Sequence, residues 1–262
     1  MELNLKGRNA MVGGSTQGIG RASAVQLALQ GANIILLARN VQSLERVKDQ
    51  LDTSKGQEHQ FLCLDYMEVE SFRKIVDEFM NNGPRVHILV NNTGGPPPGP
   101  INKAEEDQFL SAFSQHLICN HILAKHVLEG MKEDKFGRII NIISTSVKQP
   151  IPNLGVSNTV RAAVANWAKT LSQEVANYGI TVNNVLPGAT YTSRLEGIIE
   201  NKAKVSGVSF DEMKQRMEKE IPAGRFADPR EVARAVGFLS SPAASYINGI
   251  NLPVDGGRTD SL

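Results

Sequence analysis

The sequence predicts a single α/β domain, a doubly wound parallel sheet covered by helices on both faces. Three observations predict it. Strand-like and helix-like stretches alternate from one end of the chain to the other. Neither an internal repeat nor a linker-like composition divides the 262 residues, a length that one large α/β domain accommodates. The first strand runs through a glycine-rich turn straight into the first helix. Crossover helices keep neighbouring strands parallel, and such sheets bind ligands beyond the carboxyl ends of their strands.

The elements follow in order. Residues 9–13 form a short apolar strand, and after the glycine turn a helix spans residues 18–30. Residues 33–38 read as a buried strand and 41–51 as a helix. Residues 60–64 and 87–91 are further strands, separated by a helical pattern over 69–80. A long helix is predicted over 105–131, with Asn102 and Glu105 as a pair that caps its free backbone N–H groups. Residues 138–144 make a strand. Residues 156–178 make a helix, because Val160, Val164, Trp167, Leu171 and Val175 fall on one stripe. After the strand at 181–186, the pattern past Pro187 becomes a polar helical insertion, in which Ser209 and Glu212 open a helix to Ile221. Asp228, Pro229 and Glu231 start the next helix, and 250–254 is the last strand.

Composition narrows the function. A 41% hydrophobic content fills a sizeable core, and a net charge of +1 gives no broad attraction to nucleic acid or an acidic membrane, so any anion site must be local. No apolar run approaches the ~18 residues of a membrane span, and the first residues lack the blocks of a secretion signal. Cys63 and Cys119 read as reduced core residues of a cytoplasmic protein, and no histidine stands near them in metal-ligand spacing. No metal is expected.

Gly14-Ser15-Thr16-Gln17-Gly18-Ile19-Gly20 has the strand–turn–helix setting of a Rossmann nucleotide loop. Glycine lets the backbone approach a ligand, and the helix start offers N–H groups and partial positive charge to a pyrophosphate. After the second strand, a cofactor without a 2′-phosphate would meet an Asp or Glu. Here Ala38-Arg39-Asn40 stands instead, and Arg39 can grip a 2′-phosphate while Asn40 caps the next helix. NADP(H) is therefore preferred over NAD(H).

The chain resembles the short-chain dehydrogenase/reductase superfamily, particularly the branch of 3-oxoacyl-acyl-carrier-protein reductases. The likeness rests on Gly14-x-x-x-Gly18-Ile19-Gly20, Asp65, Asn91-Asn92-Thr93-Gly94, Ile142-Ile143-Ser144, Val182-Asn183-Asn184-Val185-Leu186-Pro187-Gly188, Gly224-Arg225-Phe226 and Val254-Asp255-Gly256-Gly257. It implies about seven parallel strands and a homo-oligomer, commonly a tetramer. It further implies that Asp65 and Tyr66 contact the adenine, that the backbone from Asn91 through Thr93 to Gly94 meets the ribose, and that Pro187, Gly188, Thr190 and Thr192 flank the nicotinamide. Asn91 can equally tie neighbouring strands together.

The resemblance also exposes a departure. Ordinary members use an Asn, a Ser, a Tyr and a Lys. Ser144 matches the serine, but family spacing puts Ser157 at the tyrosine, Arg161 at the lysine and His116 at the asparagine. A serine alcohol is a far weaker acid than a phenol, and Arg161 stays protonated, although it can hold ribose hydroxyls and stabilise charge on a substrate oxygen. His116, an imidazole titrating near pH ~6.5, is the candidate replacement for moving the proton, alone or through water and Ser157. Lys148 and Tyr191 are further titratable groups expected near the cleft, while His121 and His126 read as surface or packing residues. The loop Gly94-Gly95-Pro96-Pro97-Pro98-Gly99-Pro100 is stiff, either a wall of the substrate site or a spacer, and residues 193–226 stand where relatives carry a substrate lid.

Two readings of different classes follow. One is an NADP(H)-dependent oxidoreductase that interconverts a small carbonyl and alcohol, with Ser144 and Arg161 stabilising the oxygen. The other is a nucleotide-binding protein without redox chemistry, a sensor or assembly partner. Halohydrin dehalogenases of this fold carry an arginine at the lysine position but keep the tyrosine and lose the glycine loop, the opposite of this chain.

Overall fold

The apolar runs assemble into one parallel sheet of seven strands in the order β3-β2-β1-β4-β5-β6-β7, in a computed structural model that describes residues 2–261. The two ends of the predicted domain, Met1 and Leu262, lie outside the described residues. The strands are β1 (Asn9–Gly13), β2 (Asn33–Ala38), β3 (Gln60–Cys63), β4 (Ile88–Asn91), β5 (Gly137–Ile142), β6 (Ile180–Pro187) and β7 (Asn251–Val254). After β3 the chain crosses back to place β4 beside β1. That reversal opens a crevice above the carboxyl ends of β1 and β4, where doubly wound sheets bind their ligands.

Side-chain alternation fills both faces. Ala10, Val12, Ile34, Leu36, Ile88 and Val90 point to one layer, formed by α1 (Gly18–Leu29), α2 (Val41–Lys48) and α9 (Pro229–Leu239). Met11, Ile35, Leu37, Leu89 and Ile139 point to the other, formed by α3 (Val69–Asn82), α5 (Cys119–Glu133) and α6 (Gly155–Val175). Asn40 caps α2 by accepting from the Ser43 N–H at 2.8 Å, and Asp228 with Glu231 forms the capping box of α9. Among the described residues, no helix is long and apolar enough to cross a membrane.

Three expectations are corrected. The long helix is interrupted: α4 (Glu106–Phe113) runs into a π-helical turn at Ser114–Ile118 before α5 begins. Its cap is Glu105 with Gln108, not Asn102, because Asn102 lies in a separate 3-10 turn and Ala104 between them is extended. Cys119 is buried, but Cys63 is exposed, because β3 is the edge strand of the sheet and leaves one side uncovered.

One polar feature crosses four strands. Asn91, Asn141, Asn184 and Asn251 are register partners on β4, β5, β6 and β7. Each amide donates to the next, Asn91 Nδ2 to Asn141 Oδ1 at 2.8 Å, Asn141 to Asn184 at 2.9 Å and Asn184 to Asn251 at 2.8 Å. In-register asparagines on parallel strands stack their amides this way because the strand spacing matches one hydrogen bond. The side chain of Asn91 therefore serves the sheet.

Replacing Asn141 by Ala strands the Asn91 donor and the Asn184 acceptor in a dry sheet interior, where each orphaned group is costly. A loss of about 2–4 kcal/mol in urea unfolding is expected, without a change in fold by circular dichroism.

Candidate active site

The glycine turn is built by crowding. Gly14 and Gly18 hold positive φ (55° and 54°), which other residues adopt only with strain. A Cβ on Gly13 would lie 2.5 Å from the Tyr66 hydroxyl and 2.6 Å from the Asn92 carbonyl, and one on Gly20 would collide with the Gly14 carbonyl. The Asn92 amide ties the turn to the end of β4, donating to the carbonyls of Gly13 at 3.1 Å and Gly14 at 3.5 Å. Gln17, the residue before α1, makes no side-chain cap. The first N–H groups of α1 are thus left open toward the crevice, beside Thr16, Gln17, Gly18 and Ile19. Thr192, the cap of α7 (Ser193–Ser206), closes the opposite wall, its methyl group within 3.3 Å of where a Gly18 Cβ would sit.

At the far end of β2, Arg39 is 77% exposed and 4.0 Å from the Asp65 carboxylate, which follows β3. Beside Thr16 a depression is lined by Arg21, Ser43, Arg46 and Gln50, adding two cations the sequence did not single out. Tyr66 packs inward. Its ring is buried against Phe72 at 4.9 Å between centroids, and its hydroxyl, buried without a partner under Gly13, is pushed well above the usual phenol range by burial. Its side chain is fixed beneath the glycine turn, which leaves only its backbone to meet an adenine.

Ser144, Ser157, Arg161 and His116 come from the end of β5, from α6 and from the turn before α5. Ser144, just past β5, accepts the Ser146 N–H on its Oγ at 3.1 Å, which leaves its hydroxyl proton free to donate outward. Arg161, on the second turn of α6, is only 8% exposed and donates from one nitrogen to the Ile142 carbonyl at 3.1 Å. Burial and the charge of Arg194 pull its guanidinium down to about 10, still far above neutral, so it is a fixed cation. Ser157, half-buried in the first turn of α6, forms no side-chain hydrogen bond with the protein.

His116 is 1% exposed within the π-helical turn, the kind of local bulge that re-aims a side chain. Its Nδ1 is 2.6 Å from the Thr93 hydroxyl, and its Nε2 is buried without a protein partner. The expectation of an imidazole titrating near neutrality is overturned. Burial first, then the charges of Arg161 and Arg194, hold His116 down at about 2, so the ring is neutral.

The proline-rich loop is pinned at both ends. Gly99 exchanges backbone hydrogen bonds with Asn153 at 2.7 Å and Gly155 at 3.1 Å, fastening the loop to the start of α6. Near its other end, a Gly95 Cβ would lie 2.6 Å from Arg194 Nη1, so the guanidinium rests on the loop backbone, with Nη2 3.4 Å from the Pro96 carbonyl. The loop is a wall. Opposite it, Pro187 ends β6, Gly188 bonds back to Val254 at 3.0 Å, and Thr190 pairs with Ala227 in a short bridge. Leu195, Ile199 and Met213 pack with Ile221 and Phe226 in a cluster belonging to α7 and α8 (Phe210–Lys219), with Met217 against it, whereas Ile198 is exposed. Tyr191 stacks on Phe226, and its hydroxyl is raised by a hydrogen bond to Glu196. His126 pairs with Asp77 and His121 packs edge-on against Trp167, both away from the cleft.

The crevice thus brings together Gly14, Thr16, Gly18, Gly20 and Thr192 at one end and Thr93, His116, Ser144 and Arg161 at the other. Gly94 is exposed between them, with open space where a Cβ would be. Sequence reasoning missed three contributors: Asn92 as the tie of the turn, Arg21 and Arg46 beside Thr16, and Arg194. Asn92 stood inside a quoted motif; nothing in the chain's pattern signalled where Arg194 would reach.

Comparison with known proteins agrees with this geometry. Residues 14–259 match the family model described as enoyl-(acyl carrier protein) reductase. The chain is 34% identical to the 3-oxoacyl-[acyl-carrier-protein] reductase FabG of Vibrio cholerae, over 97% of this chain and 98% of that protein. It is 31% identical to the NADPH-dependent reductase BacG of Bacillus subtilis, over 97% and 99%. The solved L-sorbose reductase of Gluconobacter frateurii, complexed with NADPH and L-sorbose, superposes with a TM-score of 0.93 at 30% identity, covering all of both chains.

His116 has a stability signature. The unfolded chain protonates this ring near pH ~6.5 and the folded protein only at about 2, so between those values acid favours unfolding. Its contribution is complete above pH ~6.5 and falls with pH below that, by up to about 1.4 kcal/mol per pH unit. Urea unfolding of His116→Asn between pH 7 and 4.5 should show a slope shallower by about one proton, the remainder coming partly from His59 and His87, which burial also lowers.

Proposed function

We propose a function from one premise: the chain belongs to the short-chain dehydrogenase/reductase superfamily, in the branch of 3-oxoacyl-acyl-carrier-protein reductases. On that premise it is an NADP(H)-dependent oxidoreductase that reduces a carbonyl to an alcohol or runs the reverse, with a proton path unlike the family's. The observation that carries this reading is the buried Arg161 guanidinium, bonded to the Ile142 carbonyl at the end of the strand that Ser144 follows, in a fold whose first helix opens on a glycine turn.

The cradle suits the dinucleotide. Open N–H groups of α1 would face the pyrophosphate, and Arg39 with Arg21 and Arg46 would meet a 2′-phosphate, so NADP(H) is preferred over NAD(H). Asp65 would contact the adenine, the backbone from Asn91 to Gly94 and Arg161 the ribose, and Pro187, Gly188, Thr190 and Thr192 the nicotinamide side. When bound, the cofactor supplies or accepts a hydride. Residues 193–226 act as the lid over the substrate, and the protein works as a homo-oligomer, a tetramer by family resemblance.

The chain's own residues handle the oxygen and its proton. Ser144 keeps its proton and hydrogen-bonds the substrate oxygen with it, and Arg161 stabilises the negative charge that develops there as hydride reaches the carbonyl carbon. Charged acid is not available at His116, but a neutral imidazole can relay. Nε2–H gives its proton to the alkoxide while Nδ1 takes one from the Thr93 hydroxyl 2.6 Å away, which solvent restores. Ser157, free of protein partners, extends this path toward solvent. In alcohol oxidation each transfer runs backwards.

The rival reading, an NADP(H)-binding protein without redox activity, draws on the same lowered His116, a ring held neutral by its burial and the cations around it. Turnover decides between them. NADPH consumption is expected with a panel of ketones and oxo acids, and Ser144→Ala should lower kcat about 100-fold or more with NADPH binding unchanged. Tight NADPH binding with no consumption across the panel would establish the rival.

Two further outcomes are expected. The pH profile of kcat/KM should show no break between pH 5.5 and 7.5 attributable to His116, since its pKa is held at about 2. Arg39→Asp should reverse cofactor choice, weakening NADPH about 10- to 100-fold in calorimetry while leaving NADH within a few-fold.

A further inference from the structure

Two arginines converge on the cleft without an acid between them. Arg161 reaches it from α6 and Arg194 from the first turn of α7, and the charge of Arg194 bears on both Arg161 and His116. Among the described residues, neither guanidinium has a carboxylate within 4.0 Å. The other buried arginine, Arg138, is 2% exposed but spends its donors on the carbonyls of Gly137, Gly179 and Ser241. Arg161, 8% exposed, has a single protein acceptor, the Ile142 carbonyl, for its five N–H groups. A desolvated, unpaired cation of this kind is expensive to hold unless an anion completes it.

The position of Arg194 says which anion. The cofactor's phosphates belong at the Gly14–Gly20 turn, and Thr192, two residues earlier, is what faces Gly18. Arg194 turns the other way and lies flat on Gly95, with Nη2 toward the Pro96 carbonyl, at the head of the loop whose tail is fastened to α6 beside Ser157. Its guanidinium thus lies against the loop on the side of His116 and Arg161, with Nη2 toward the Pro96 carbonyl and no carboxylate partner among the described residues. A guanidinium matches the two oxygens of a carboxylate in one plane.

We infer that the substrate is an oxo acid, a small molecule carrying a free carboxylate next to or one carbon from the reacting carbonyl, and that Arg194 binds this carboxylate while Arg161 and Ser144 hold the carbonyl oxygen. This rests on the oxidoreductase reading for the carbonyl and on the arginine pair alone for the carboxylate. Arg194 is thereby a specificity residue. Its absence from the ordinary proton machinery explains how a site that lost the family's tyrosine still orients its substrate: charge on the carboxylate fixes the molecule before hydride transfer.

The test separates binding from turnover. Malonate, which cannot be reduced, is titrated by calorimetry into NADPH-loaded wild type, Arg194→Ala and Arg194→Lys, with malonamide and inorganic phosphate as comparisons. Rates with acetoacetate and pyruvate are compared with those of their methyl esters. Malonate should bind wild type and not malonamide should, and Arg194→Ala should weaken malonate about 10- to 100-fold and lower any acid-to-ester preference in kcat/KM by a similar factor. Arg194→Lys, which keeps charge but not the fork, should fall between.

Loss of malonate binding in Arg194→Ala without any NADPH consumption by wild type would uphold the carboxylate site at Arg194 and sink the oxidoreductase reading, and with it the reacting carbonyl. Turnover of neutral ketones with equal acid and ester rates, or malonate binding untouched by Arg194→Ala, would do the reverse. A variant that weakens NADPH alone, or phosphate binding in preference to malonate, would assign Arg194 to a phosphate and overturn the proposal.

Discussion

Backbone crowding at the point where strand order reverses governs the rest of this structure. β1 can deliver its chain into α1 over the crevice only because Gly13, Gly14 and Gly20 carry no Cβ where Tyr66, Asn92 and the turn's own carbonyl press in. The Asn92 amide bonds the turn to β4 across the switch point. The same contact that closes the packing leaves the first N–H groups of α1 facing outward, so open backbone donors are a consequence of the fold's tightest spot. Tyr66 belongs to this device from below: its buried hydroxyl supports the turn, which is why its side chain serves packing.

The other half of the crevice is governed by charge. This half of the crevice carries the alcohols of Ser144 and Ser157 and the buried guanidinium of Arg161. A lysine can shift its titration when buried, whereas a guanidinium stays charged and instead shifts its neighbours. His116 shows the effect. Desolvation and two nearby cations remove its ability to carry a charge, leaving a neutral ring held on one side by Thr93. Neutral imidazoles can still polarise and relay, so the loss of an ionising acid does not empty the site of proton chemistry.

Rigidity surrounds both halves. The asparagine ladder locks β4 to β7 beneath the site, the π-helical turn between α4 and α5 sets the place of His116, and the proline-rich loop is clamped between Arg194 and the start of α6. By contrast α7 and α8 share a small apolar cluster of their own, Leu195, Ile199, Met213, Ile221 and Phe226. An element with its own core can shift over the cleft as a unit, which is what a lid requires.

What the sequence determined by itself is what local pattern encodes. Alternating apolar runs placed all seven strands within a residue or two, the glycine spacing located the turn from β1 into α1, and Asp228 with Glu231 marked a helix start that the capping box reproduces. Ser144, Ser157, Arg161 and His116 were singled out by resemblance to a family and not by any local pattern of the chain. Tertiary structure alone decided their chemistry. The neutrality of His116 depends on burial and on Arg161 and Arg194, 45 and 78 residues away by sequence number. The exposure of Cys63 depends on β3 being the sheet edge, and the cap at Glu105 on a preceding turn. Periodicity reports which face of an element is apolar, but a pKa or a charge pair arises between elements distant in the chain, where no pattern along one segment can record it.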